Sequence, residues 1–193
     1  MHHFSNQRDF EDEEFSELQL DPPLLTFKDF RGCTFRKCNF QKASFEGTRF
    51  LDCTFEGCDL SLTNLSKATF KRCVFSSCRA VGFALANAVA AENLRFEDCN
   101  LRSASLVGLD LRRLKLTNCI ADDADFTQSN LTDANLQGTS LAEARFFKND
   151  LSRADFRSAK SYAFDPATCK LAGAKFSFPE VLGLLAVHNI SIE

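Results

Sequence analysis

Residues 30–80 read FRGCTFRKCNFQKASFEGTRFLDCTFEGCDLSLTNLSKATFKRCVFSSCRA. A large apolar residue stands at every fifth position from Phe30 to Phe75. From Cys33 onward, a small residue (Cys, Ala or Thr) stands two positions before each of these, and the positions between are mostly polar. Neither the 3.6-residue period of an amphipathic helix nor the 2.0-residue period of a strand fits this spacing. The stretch therefore indicates an internal repeat of five residues.

A five-residue repeat that keeps one large and one small side chain inward suits a four-sided tube. Each pentapeptide forms one side, and four of them form a coil of about 20 residues. Successive coils would stack like neighbouring strands, about 4.8 Å apart. The large residues would fill the centre of the tube, and the small ones would lie where a larger group clashes. We expect a solenoid over residues 22–176, with large residues such as Phe96, Leu116 and Phe156 continuing it in the second half.

The second half of the chain resembles the pentapeptide repeat family, whose consensus is roughly Ala-(Asp/Asn)-Leu-X-X. The segments that carry the resemblance are Ala124-Asp125-Phe126, Ala134-Asn135-Leu136, Ala144-Arg145-Phe146 and Ala154-Asp155-Phe156. It covers roughly residues 26–176. The resemblance implies an all-β fold, a right-handed quadrilateral β-helix, here with a short C-terminal helix. It does not imply a function, since one fold supports many functions.

The nine cysteines could be zinc ligands or form disulfides, but their positions in the repeat argue against both. All nine fall on the small inward position once a one-residue frame shift is allowed: Cys33, Cys38, Cys53, Cys58, Cys73, Cys78, Cys99, Cys119 and Cys169. Sulfurs about one coil apart, near 4.8 Å, are too far apart for an S–S bond of roughly 2.05 Å. We therefore expect reduced structural thiols, no metal, no cofactor and a cytoplasmic location.

Residues 1–21 form a strongly acidic segment with no apolar signal sequence. Seven acidic residues against Arg8 give 1 − 7 = −6, whereas the whole chain has a net charge of −3. The rest of the chain is therefore net +3. We expect a flexible solubilising arm, with a tethered acidic ligand or an autoinhibitory arm as the alternative.

Between residues 81 and 95 the repeat changes register, because the separation of Phe96 from Ala80 is not a multiple of five positions. This break predicts either an outward loop, which on a rigid scaffold often carries function, or a bulged coil. We take Phe83, Asn87 and Glu92 as candidate partner-binding residues there. A second candidate surface is an acidic zone between Leu116 and Ala144 that contains no Lys or Arg: Asp122, Asp123, Asp125, Asp133 and Glu143. Asp123 and Glu143, one coil apart, should stack on one face.

Residues 177–193 form an apolar tail in which Ser177, Pro179 and Glu180 indicate the start of a helix. Its apolar surface exceeds what one solenoid end needs, which favours a homodimer, with a monomeric end cap as the alternative. The candidate interface residues are Phe178, Val181, Leu182, Leu184, Leu185, Val187 and Ile190.

This tail, from Phe176 to Leu185 with Ile190 and Ile192 after it, resembles the topoisomerase-protecting branch of pentapeptide repeat proteins. That branch includes the Qnr quinolone-resistance proteins, the MfpA type and albicidin- and microcin-immunity proteins. The resemblance implies head-to-head dimerisation, mimicry of a DNA duplex, and binding to DNA gyrase or topoisomerase IV that protects against quinolones or other poisons.

The alternative function is a scaffold for protein–protein interaction without any link to topoisomerases, which the weakly acidic overall charge suits. An enzyme is disfavoured because large apolar residues fill the tube, and because His2, His3 and His188 all lie in the tails. The basic residues are too few to favour direct nucleic-acid binding, and no membrane partner is expected.

Overall fold

The structure, a computed structural model, describes residues 7–19, 24–186 and 188. The chain winds as a β-solenoid in which equivalent residues of successive coils are parallel neighbours: Phe10 lies beside Phe30, Phe30 beside Phe50 and Phe50 beside Phe70. Among the described residues between Phe10 and Phe156, the central residues of the five-residue repeat are almost completely buried. The predicted fold class, a pentapeptide solenoid with a short C-terminal helix, is confirmed.

Two sides of the tube contain regular strands, all of them three residues long. The strands are β1 (Asp9–Glu11), β2 (Glu14–Ser16), β3 (Asp29–Arg31), β4 (Thr34–Arg36), β5 (Arg49–Leu51), β6 (Thr54–Glu56), β7 (Thr69–Lys71), β8 (Val74–Ser76), β9 (Ala90–Glu92), β10 (Arg95–Glu97) and β11 (Lys115–Thr117). One sheet has the order β1-β3-β5-β7-β9, and the other has the order β2-β4-β6-β8-β10-β11. Isolated parallel bridges such as Asp155 to Lys175 continue the stacking toward the C-terminus.

The helices are short. There are 3-10 helices at Leu85–Asn87, Pro166–Thr168 and Glu180–Leu182, followed by the helix α1 (Gly183–Ala186). Ser177 does not cap the last of these turns as expected, because its hydroxyl accepts a hydrogen bond from the Ser158 amide (3.0 Å) instead. None of the helices in the described part of the chain has the length and hydrophobicity needed to span a bilayer.

The N-terminal half of the core is a set of stacked phenylalanine rings. Phe35, Phe55, Phe75 and Phe96 stack with centroids 4.9, 4.8 and 4.5 Å apart and nearly parallel planes. Rings on adjacent sides of the tube meet edge to face, as do Phe30 and Phe35 at 5.2 Å and 77°. Both arrangements suit the ring quadrupole. The ring spacing follows the spacing of the coils, so the backbone ladder and the aromatic stack support each other.

The acidic N-terminal segment is not an arm over residues 9–19, and this part of the prediction is wrong. β1 and β2 form a coil that pairs in register with β3 and β4. Phe10 and Phe15 are buried and continue the five-residue repeat upstream of the expected boundary at residues 21 and 22, which lies outside the described residues. The free energy gained by burying the two aromatic rings exceeds the repulsion between the neighbouring acidic side chains, because those side chains point outward into solvent.

The register break at residues 81–95 is a bulged coil and not an outward loop. Arg79 pairs with Asp59 at the regular coil length, whereas the coil that joins Ala90 to its partner Thr69 is one residue longer. The extra residue therefore lies between Arg79 and Ala90, where the 3-10 helix Leu85–Asn87 shortens the path. Ala91 stands where the preceding coil has Phe70, and the Phe83 ring packs against Phe70 at 6.0 Å from within the bulge.

A similar replacement occurs near the C-terminal end, where Ser161 and Pro166 occupy positions that the repeat assigns to large residues. Tyr162 and Phe164 are buried there instead, and both rings contact Phe156. Burial raises the pKa of the Tyr162 hydroxyl to about 12. The chain thus keeps its aromatic filling while it leaves the five-residue frame.

Eight of the nine cysteines are buried, Cys169 is half-buried, and all nine are free thiols, as the repeat predicts. The Cys53 thiol donates to the carbonyl of Phe30 (3.4 Å), and its equivalents make the same contact with the preceding coil. Burial raises the pKa of the Cys73 thiol to about 12, so that thiol stays protonated at neutral pH.

Alkylation of the native protein is expected to be confined to Cys169. The other eight thiols lie inside the tube and should react with iodoacetamide only after unfolding in urea, as peptide mass spectrometry would show. Modification of Cys53 or Cys73 at a rate close to that of Cys169 in the native protein would contradict the inward placement.

Candidate partner-binding surface

The acidic residues predicted to bind a partner lie on two different parts of the surface. Bridges from Ile120 to Ser140 and from Asp125 to Arg145 set the register, so Asp123 lies alongside Glu143 one coil away, as predicted. Asp122 and Asp125 flank Asp123 on the same corner of the tube. Asp133 lies two sides further along the tube, on the side that contains β9.

Most of this acidic zone is neutralised by arginines from neighbouring coils. Ion pairs join Asp122 to Arg102 (2.8 Å), Asp125 to Arg145 (3.7 Å) and Asp133 to Arg153 (2.7 Å). The Arg153 guanidinium beside Asp133 lowers the pKa of that carboxyl. Among the described residues, Asp123 and Glu143 make no ion pair, so they are the exposed net charge of the zone.

The three candidates from the register break have different environments. Phe83 is 1% exposed and packs on Phe70 and Phe75, so it cannot contact a partner and this assignment is wrong. Its ring fills the space inside the tube that the small Ala91 side chain leaves beside Phe70. Asn87 and Glu92 are exposed, and Glu92 pairs with Lys71 (3.0 Å).

A groove, which we call the β9 groove, lies beside β9. It has a volume of about 830 Å³, with residues 89–93 on one wall and residues 108–110, 112 and 113 on the other. Thr132, Asp133 and Arg153 complete its lining. Val89 is 72% exposed there, and Leu109 is half-buried.

The β9 groove exists because the ladder between two coils is open on this side. In the next coil, Leu111 and Arg113 donate to the carbonyls of Asn130 and Thr132 (2.8 and 2.9 Å), and Asn130 donates to Leu109 (2.9 Å). The three equivalent bonds do not form one coil earlier within the described chain: Ala91 to Asp110, Asn93 to Arg112, and Asp110 to Val89.

The same two coils are joined normally on either side of the opening. Ser105 donates to the Phe83 carbonyl before it, and Lys115 donates to the Leu94 carbonyl after it, both at 3.1 Å. The opening is therefore confined to one side of the tube, at the bulge. The sequence contains one sign of this opening, because Ala91 follows the register shift and occupies a position where the repeat has a large residue. The predicted site residues nevertheless did not include Val89, Leu109 or Arg113.

The C-terminal candidates divide into exposed and packed residues. Phe178 is 78% exposed and Leu185 is 36% exposed, while Val181 and Leu182 are half-buried. Leu184 is buried in the chain's own core, which makes it a capping residue and not an available contact. Val187 and Ile190 lie outside the residues whose side chains the structure describes.

No group of three or more His, Cys, Asp or Glu side chains within the described residues is arranged to hold a metal ion. The described surface offers exposed charges, an exposed apolar side chain at the C-terminal end and an open backbone edge.

The comparisons with known proteins agree with this geometry. A family model described as a pentapeptide repeat region matches residues 26–92 and 48–126, and a second, described as pentapeptide repeats (8 copies), matches residues 124–160. No sequence among the curated proteins matches this chain significantly.

Among solved structures, a trypsin-treated variant of QnrB1, a plasmid-mediated fluoroquinolone resistance protein, is 16% identical. The match covers 96% of this chain and 98% of that one, with a TM-score of 0.68. A second trypsin-treated QnrB1 variant is 17% identical over 96% of this chain and 100% of its own, with a TM-score of 0.61. HetL from the cyanobacterium Nostoc, involved in regulating heterocyst differentiation, is 22% identical over 88% of this chain and 87% of its own, with a TM-score of 0.45. The solenoid, its register and the family models together lead to one conclusion: the chain belongs to the pentapeptide repeat family.

Proposed function

We propose that this chain is a cytoplasmic, non-enzymatic homodimer that binds DNA gyrase or topoisomerase IV in the manner of a DNA mimic. It would thereby protect the topoisomerase from quinolones or other poisons. The resemblance of the tail to the topoisomerase-protecting branch motivates the proposal. The observation that carries it is Phe178, which is 78% exposed at the C-terminal end of the solenoid. A large exposed apolar side chain at the end of a rod favours contact with a second copy.

The distribution of charge supports the same proposal. The coil of β1 and β2 lies at one end of the solenoid and holds six acidic residues, of which all but Glu13 are exposed: Asp9, Glu11, Asp12, Glu13, Glu14 and Glu17. A two-fold contact through the C-terminal end would place one such acidic coil at each far end of the dimer. Negative charge at these ends, together with Asp123 and Glu143, would face the basic surface of a DNA-binding protein.

The direct test is supercoiling by purified gyrase in the presence of a quinolone, with and without this protein. Protection should restore supercoiling, and a complex with gyrase should be recovered by pull-down. A double variant Asp123→Lys, Glu143→Lys should protect less, while Asp98→Lys, an exposed acid at another corner, serves as the matched control. Unchanged inhibition together with no complex would overturn the proposal.

Replacing Phe178 by aspartate is expected to convert the dimer into a monomer, since it places a charge where an apolar contact is needed. Sedimentation equilibrium measures the mass directly. The control is Phe147→Asp, because Phe147 is also exposed (45%) but lies on the side of the solenoid. A wild-type protein that remains monomeric at high concentration would exclude the homodimer.

The second candidate function is a scaffold for protein–protein interaction unrelated to topoisomerases. The arginine pairing of Asp122, Asp125 and Asp133 favours it, because paired carboxylates present less net charge to a basic partner. Recovery of another specific partner, with no effect on gyrase, would support the scaffold function.

A further inference from the structure

We infer that the β9 groove binds an extended, acidic segment of a partner protein, which adds as a strand to the open edge between β9 and residues 109–113. The inference does not depend on the proposed action on topoisomerases. It concerns a different side of the molecule from the C-terminal end, and it rests on the break in the ladder.

The first argument is the set of unpaired backbone groups. The amides of Ala91, Asn93 and Asp110 donate no hydrogen bond to any described residue, while their equivalents Leu111, Arg113 and Asn130 all do. These groups are spaced as in a parallel ladder, because Ala91 and Asn93 alternate along one wall. An extended peptide presents backbone carbonyls and amides with the same spacing, so it can replace the missing rungs.

The second argument is the size and position of the opening. The ladder is closed on both sides of it by the bonds to Phe83 and Leu94, so the groove has the length of one side of the tube. Five residues in extended conformation span about 17 Å. A volume of about 830 Å³ is large enough for a short strand. An exposed strand edge with this much free space is a template for pairing with another chain.

The third argument is the chemistry of the side chains that line the groove, which favours a bound segment with apolar and acidic side chains. Val89 is 72% exposed and Leu109 is half-buried, so an apolar side chain of the bound segment has surface to cover. Arg112 is held by Asp110 (2.6 Å) and Arg153 by Asp133 (2.7 Å). Arg113 lines the groove and makes no ion pair within the described chain. Its charge also helps to lower the pKa of nearby Asp133, but that carboxylate is already bound by Arg153. The guanidinium favours a carboxylate on the ligand.

Hydrogen exchange in the free protein provides the first test. The amides of Ala91, Asn93 and Asp110 should exchange fast, whereas those of Leu111, Arg113 and Asn130 should be protected by the closed ladder. NMR resolves these six amides individually. Equal protection of both sets would show that the edge is closed and would overturn the inference.

Binding is tested with a defined probe, a five-residue peptide of alternating valine and aspartate with blocked ends. It should slow exchange at Ala91, Asn93 and Asp110 by at least about tenfold at saturation. Two control peptides have the same length: one carries N-methylated backbone amides, and the other carries lysine in place of aspartate. The absence of protection at millimolar peptide, or equal binding by either control, would refute strand addition by an acidic segment.

A charge-reversal pair tests the role of the arginine. Arg113→Glu should weaken binding of the acidic peptide about tenfold, since it replaces an attraction by a repulsion. Arg145→Glu reverses a charge on another corner of the tube and should leave binding unchanged. Equal weakening by both variants would mean that only the overall charge matters, which would overturn the assignment of Arg113.

Discussion

Replacement of Phe55 by alanine should lower the free energy of unfolding by about 3 to 5 kcal/mol. Phe55 is fully buried, and it stacks between Phe35 (4.9 Å) and Phe75 (4.8 Å). Its edges also meet Phe50 at 5.3 Å on the adjacent side. Removing the ring opens a cavity that the neighbours cannot fill, because the backbone ladder fixes the spacing of the coils. Urea denaturation followed by circular dichroism measures the change.

The matched control for this variant is Phe147→Ala. Phe147 occupies an outward position and is 45% exposed, so its truncation should change stability by less than about 1 kcal/mol. If both variants had equal effects, the aromatic stack would not be the main source of stability.

The second large effect concerns a buried carboxylate. The Asp29 side chain is 3% exposed and is paired with Arg49 in the next coil and with Arg31 at 3.6 Å. Its Oδ1 has no hydrogen-bond partner among the described residues. Arg49→Met keeps the aliphatic part of the side chain but leaves the Asp29 carboxylate with Arg31 as its remaining partner, at 3.6 Å. We expect a loss of about 2 to 3 kcal/mol, somewhat below the full cost of breaking a buried pair because Arg31 remains.

Arg72→Met is the control, since Arg72 also pairs with an aspartate one coil earlier. Both side chains of the Asp52–Arg72 pair are more than half exposed, at 54% and 57%, although the contact is as short as 2.6 Å. Because solvent screens this exposed pair, the loss of stability should be much smaller than that caused by Arg49→Met. A larger loss for Arg72→Met than for Arg49→Met, in the same urea titration, would contradict the dominant role of burial.

Several features of the structure were present in the sequence but were given a different interpretation. Phe10 and Phe15 lie in the same five-residue frame as Phe30, yet the charge of residues 1–21 led to the prediction of an arm. The frame was the better guide, because only every fifth residue has to enter the core and the others can carry any charge. The ion pairs of Asp133 with Arg153 and of Asp52 with Arg72 also follow from the length of one coil, since each joins equivalent positions of adjacent coils.

The period of five in residues 30–80 was sufficient to predict the tube, the buried thiols and the stacking of Asp123 beside Glu143, since each follows from counting along one chain. The folded chain alone showed where the extra residue between Arg79 and Ala90 is absorbed. It also showed that Phe83 turns inward to replace a ring at Ala91. The sequence alone allows the extra residue at several positions of the coil. Its actual position depends on how the aromatic rings and the backbone hydrogen bonds of adjacent coils pack together. The open ladder at the β9 groove lies next to this bulge, between residues that are a whole coil apart in the chain.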